Sequence, residues 1–121
     1  DKLARKIDAG ADYIMTQPAF ASQPLTCLDD FRRSVPVLIG VLVLAGLDHA
    51  LRMRDVPGMV VPDTVLERLG ASPDRETQAA VGRDLAAEQV RRVQAEGWAG
   101  VYLMSPATHQ PVIDVLAAGL T

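Results

Sequence analysis

Apolar positions along the chain change their spacing several times, and each change marks an element. Leu3 and Ile7 lie four apart with charges around them, so Lys2 to Ala9 reads as the last turns of a helix stopped by Gly10. Ala11 to Gln17 is a strand, which Pro18 is expected to end. Leu25 to Ser34 is a helix with Leu25, Leu28 and Phe31 inward and Asp29, Asp30, Arg32 and Arg33 in water. Val37 to Leu44 is almost unbroken apolar, the pattern of a strand covered on both faces. Leu47 to Arg54 is a short helix, and Val56 to Val61 is a loop around the Pro57-Gly58 turn. Pro62 to Leu69 is a further helix, with Pro62 suited to its first turn and Gly70 to its stop. Ser72 is expected to cap the longest helix, with Pro73 at its first position and its end near Glu96. Gly82, Ala86, Val90 and Val93 form its inner face, small enough at two positions to let it lie close to a sheet. Gly97 to Gly100 is a turn, Val101 to Met104 is a strand broken by Ser105-Pro106, and Pro111 to Ala118 is the final helix.

Strands alternating with helices imply an α/β fold with a parallel sheet and right-handed crossovers. Both a doubly wound sheet and a (β/α)8 barrel use such units. A barrel needs about 250 residues, and three strands cannot close one. If the parent fold is a TIM-type barrel, residues 1–121 are its C-terminal part with the N-terminal part missing. The chain opens on Asp1 in what reads as mid-helix, the expected look of a piece of a longer polypeptide or of one whose start was trimmed.

Composition narrows the function. The chain is 49% hydrophobic and 22% charged, which is neither disordered nor membrane-like. Its net charge is -3 with no basic run, and aromatics make up 4%, so nucleic acid is not an expected partner. The longest apolar run, Val35 to Leu47, is too short to span a membrane and is interrupted by Pro36, Gly40 and Gly46. A lone Cys27 rules out an internal disulfide and fits a reducing compartment or a protein that needs no staples; Cys27 reads as a packing residue, and the expected localisation is cytoplasmic.

In either architecture ligands bind beyond the carboxyl ends of the strands. Those ends read Thr16-Gln17-Pro18-Ala19-Phe20, Val43-Leu44-Ala45-Gly46 and Met104-Ser105-Pro106-Ala107-Thr108-His109. They carry an amide, hydroxyls and a histidine, but no carboxylate. Gln17 can both donate and accept without charge, which suits an amide-rich ligand or the backbone groups of a strand rim. His49 and His109 are open to a capping role or to ligand contact. Lys6, on its chemistry alone, is a surface lysine. No residues stand at zinc-like spacing, and no glycine-rich phosphate loop opens a helix.

The run Lys6-Ile7-Asp8-Ala9-Gly10-Ala11-Asp12-Tyr13-Ile14-Met15-Thr16-Gln17-Pro18 resembles the K-x-D-A-G-A-x-x-x-x-T-Q segment of methylenetetrahydrofolate reductases. The likeness continues in order through Pro36 to Leu42, His49 to Met53, Val56 to Asp63, Ala86 to Gln89 and Gly100 to Met104. It is closest to bacterial forms, including those fused to a homocysteine methyltransferase. The resemblance implies a (β/α)8 barrel holding FAD, reduced by NADH or NADPH, that passes a hydride to 5,10-methylenetetrahydrofolate for one-carbon metabolism and methionine supply. It implies that Gln17 hydrogen-bonds the pterin ring and that Lys6 contacts the FAD. His49 stands where some members have a second folate-binding glutamine, and Met53 where they have an aromatic that packs on the ligand. Thr108 or His109 stands near an arginine position. The catalytic glutamate and most flavin ligands fall before Asp1, so no catalytic residue is assigned here. The expected partners are the folate and either a second copy or the missing barrel half. The other expectation is a non-catalytic, diverged half-barrel that docks on a partner chain.

Overall fold

The computed structural model describes residues 5, 9–10, 12–18, 20, 28–29, 31–32, 34–57 and 59–105. The helix expected over Pro111 to Ala118, and Cys27, lie outside the described residues. Three strands, β1 (Ile14–Pro18), β2 (Val37–Leu42) and β3 (Gly100–Met104), form one sheet in the order β1-β2-β3. Both pairs are parallel. The order is consecutive, without the reversal that marks a doubly wound sheet. Between β2 and β3 run α1 (Leu47–Arg54), α2 (Asp63–Gly70) and α3 (Arg75–Ala95).

β2 is central, and its apolar run follows from that. Val37, Ile39, Val41 and Val43 alternate toward α3 and Trp98, where Ala86, Ala87, Val90 and Val93 meet them. Leu42 and Leu44 join a separate cluster with Phe20, Ala50 of α1, Val65 and Leu69 of α2, and Leu85 of α3. The strand proper stops at Leu42, but the Val43 amide still donates to the Met104 carbonyl at 2.9 Å, and Val43 and Leu44 are buried. The longer strand read from the sequence reflects this buried continuation.

Two glycines set close approaches. A Cβ on Gly82 would overlap the Leu44 carbonyl oxygen, so α3 can reach the end of β2 only because that position is bare. A Cβ on Gly40 would come within 2.7 Å of the Thr16 carbonyl oxygen, where β1 bulges toward β2. The bulge lies between the pairs Met15↔Leu38 and Pro18↔Gly40.

β1 ends at Pro18, as expected; the proline is its last residue, accepted at a bulge where no ladder donor is needed. Three local expectations are corrected. Ser72 is not the cap of α3: the Asp74 carboxylate accepts from the Thr77 amide at 2.8 Å, and the helix starts at Arg75. Gly70 is the last residue of α2, not a left-handed stop, with Ala71 following in ordinary helical geometry. By contrast Gly97 (φ 77°) closes α3 as the turn pattern predicts. The Gly97 amide donates to Gln94 and the Trp98 amide to Val93, and Trp98 packs on Val93 across the reversal. Leu28 to Val35 forms successive turns instead of one regular helix over its described residues. Arg32 there stacks 3.7 Å above the Trp98 ring and donates to the Glu96 carbonyl, tying this segment to the end of α3.

Candidate functional site

In a parallel sheet all strands end on the same side, so Gln17, the Ala45-Gly46 turn and Ser105 share one end of the molecule. At β1, Thr16 and Gln17 divide the work. The Thr16 hydroxyl accepts from the Gly40 amide at 2.9 Å and donates to the Gln17 carbonyl at 2.8 Å. It replaces the ladder bond that the bulge removes. The Gln17 side chain is thereby left out of the backbone bookkeeping: it is exposed and makes no hydrogen bond to a described residue.

Beyond β2 a cleft of about 300 Å3 opens, lined by Ala45, Gly46, Asp48, His49, Arg52, Arg75 and Gln78. Its floor is a turn held from two directions. His49 Nδ1 accepts from the Ala45 amide at 3.0 Å, and Gln78 Oε1 accepts from the Leu47 amide at 2.9 Å. Leu47 is the first residue of α1, whose own N-cap, Gly46, has no side chain to offer. Gln78, on α3, supplies the cap instead and anchors itself by donating to the Ser72 carbonyl at 3.1 Å. An exposed-looking glutamine near the start of a helix gives no sequence signal for this role, because the contact is tertiary.

His49 is buried, and burial, with the Arg52 charge second, lowers its pKa from the ordinary value. A neutral imidazole that accepts at Nδ1 carries its hydrogen on Nε2, so it presents a donor there. The cleft walls carry two guanidinium groups, Arg52 and Arg75, against the one carboxylate of Asp48.

The residues singled out from the sequence are not all gathered here. His49 lines the cleft, while Gln17 and Met53 do not. Met53 is half-buried and packs against the cluster of Phe20, Ala50, Met59 and Leu69. Lys6, Thr108 and His109 lie outside the described residues. Sequence reading missed Gln78, Arg52 and Arg75. The only available signal was the three-residue spacing of His49 and Arg52, which puts both on one face of α1. Behind β1, the buried Gln89 amide and Arg92 both donate to the Phe20 carbonyl, at 2.9 and 3.3 Å, and so fix the strand's exit to α3.

Among solved structures the chain is similar to an uncharacterized protein from Clostridium thermocellum that binds two copies of 5-methyl-5,6,7,8-tetrahydrofolic acid. The match has a TM-score of 0.58 and 13% identity, and covers 98% of this chain and 45% of that one. At that identity the likeness concerns the fold. Among curated proteins it is 24% identical over 100 residues to methylenetetrahydrofolate reductase 2 of Schizosaccharomyces pombe, covering 75% of this chain and 16% of that protein. The chain thus spans less than half the length of either relative. The family model for methylenetetrahydrofolate reductase matches residues 1–118, which takes in β1 to β3 and α1 to α3. A match of that extent makes the chain a member of the methylenetetrahydrofolate reductase family.

Proposed function

We propose that this chain supplies the C-terminal strands of a (β/α)8 barrel in a flavin-dependent reductase that converts 5,10-methylenetetrahydrofolate to 5-methyltetrahydrofolate. The remaining strands come from polypeptide outside these 121 residues. The consecutive order of β1, β2 and β3 suits a barrel wall, in which each strand adds beside the last. FAD, reduced by NADH or NADPH, supplies the hydride, and the protein orients the folate against it. Lys6 is the residue of this chain proposed to touch the flavin. By the resemblance, the catalytic glutamate and most flavin ligands fall before Asp1, so the 121-residue chain alone is inactive under this reading.

The observation that carries the proposal is that the exposed Gln17 side chain makes no hydrogen bond to a described residue. Its neighbour Thr16 already satisfies the bulged backbone, so the exposed Gln17 amide is available to a ligand. A carboxamide matches the mixed donors and acceptors of a pterin edge without placing a charge there. His49 offers a second donor on the next strand's exit, and Met53, on the same helix, packs α1 against the cluster of Ala50 and Leu69.

The test uses the complete protein. Its flavin is reduced anaerobically and mixed with 5,10-methylenetetrahydrofolate while the flavin spectrum is followed. Reoxidation by the folate is expected, and Gln17→Ala should slow it about tenfold or more with the flavin still bound. Bound flavin that ignores the folate would mean a changed substrate. Absence of flavin would favour a non-catalytic half-barrel that docks on a partner chain.

A further inference from the structure

Among the described residues, the two arginines of the cleft lack the acidic partners that several other arginines have. Arg32 pairs with Asp29, Arg68 with Glu88, and Arg92 with Glu96. Arg52 and Arg75 form no ion pair with a described residue, are exposed, and come from different helices to line one concavity. Arg52 lies in the last turn of α1, and Arg75 is the first residue of α3. With His49 neutral, the cleft carries two positive charges against the single negative charge of Asp48. Concave walls of one prevailing sign concentrate the field and favour an anion. A guanidinium fork matches a carboxylate by paired hydrogen bonds.

The volume limits the ligand further. A cleft of about 300 Å3 lies at the small end of ligand sites, so it receives a terminal group and not a whole multi-ring molecule. The floor is held by the protein's own groups: His49 and Gln78 accept from the Ala45 and Leu47 amides.

We propose that Arg52 and Arg75 bind the carboxylate end of the ligand, and that this end is the glutamyl tail of the folate. The assignment of the tail rests on the function proposed above. In it, the pterin engages Gln17, and the tail carboxylates reach the exit of β2, where the paired arginines clamp them. Asp48, on the same wall, opposes an anion, and the two arginine charges outweigh it.

Binding of two ligands to the complete, flavin-loaded protein tests this: 5-methyltetrahydrofolate, and the same pterin compound without its glutamate. The wild type should prefer the glutamate-bearing ligand by about tenfold or more. That preference should shrink as salt is raised. An Arg52→Gln, Arg75→Gln double variant should bind both ligands equally, at the affinity the wild type shows for the shorter one. A preference that survives in the double variant overturns the assignment and leaves the reductase reading intact. So does equal binding of the two ligands by the wild type, or loss of both ligands in the variant. Failure of the wild type to bind either ligand overturns the folate reading itself, and the tail assignment with it.

Discussion

His49 shows how one side chain can serve structure and site together. Its Nδ1 must be unprotonated to accept from the Ala45 amide, and burial beside Arg52 favours the same neutral form. The folded-state pKa therefore lies below the unfolded value of about 6.5. Above that value both states hold a neutral imidazole, and the bond contributes fully. As pH falls below it, the unfolded state takes up the proton first, so folding stability drops until the folded-state pKa is passed. Between about pH 7.5 and about pH 5.5 the thermal midpoint of the wild type should therefore fall further than that of His49→Gln. Equal pH slopes in the two proteins would show that the His49 bond contributes nothing. Thr16 makes a similar point without titration: its hydroxyl holds two backbone groups and leaves its neighbour's amide for other use.

At the scale of elements, α3 decides how the layers fit. Its inner face carries Gly82, Ala86, Ala87 and Val90, and the glycine sits where the Leu44 carbonyl arrives. In an ordinary exposed helix, glycine to alanine stabilises by about 1 kcal/mol. Here the added methyl has no room, because the obstacle is backbone and cannot rotate away. Gly82→Ala should reverse the usual sign and destabilise by about 1–3 kcal/mol, as overpacking does, read by denaturant unfolding. A neutral or stabilising result would mean that α3 stands off the sheet. The same helix caps its neighbour through Gln78 and holds the exit of β1 through Gln89 and Arg92. It thus connects the two strand ends that form the candidate site.

At the scale of the molecule, the sheet has two dissimilar faces. One is sealed by α3. On the other, Met15 is 42% exposed and Tyr102 is 43% exposed, opposite Leu38 and Gly40 of the central strand. The outer edges of β1 and β3 carry no further strand among the described residues. Open edges and half-exposed apolar side chains favour association. The 121-residue chain expressed alone should therefore self-associate and bind an apolar fluorescent dye, as judged by size-exclusion chromatography and dye emission. A monomer that binds no dye would count against both a missing barrel half and a docking module. Among the described residues, no helix is long and apolar enough to cross a membrane.

Periodicity alone was enough for the existence and order of the strands and of α1, α2 and α3, because burial on one face or two repeats along the chain at a spacing set by backbone geometry. The glycine reversal at Gly97 was legible for the same local reason. The motif from Lys6 to Pro18 also carried the family, since it is contiguous. What needed the tertiary structure were contacts between residues far apart in the chain: Gln78 capping α1, Arg75 meeting Arg52 across a cleft, and Thr16 bridging to Gly40 in place of a ladder bond. Even the cap of α3 passed from Ser72 to Asp74, because a cap depends on which oxygen the folded backbone brings to an unpaired amide. Sequence spacing describes which face a residue lies on; only the folded chain determines what meets it there.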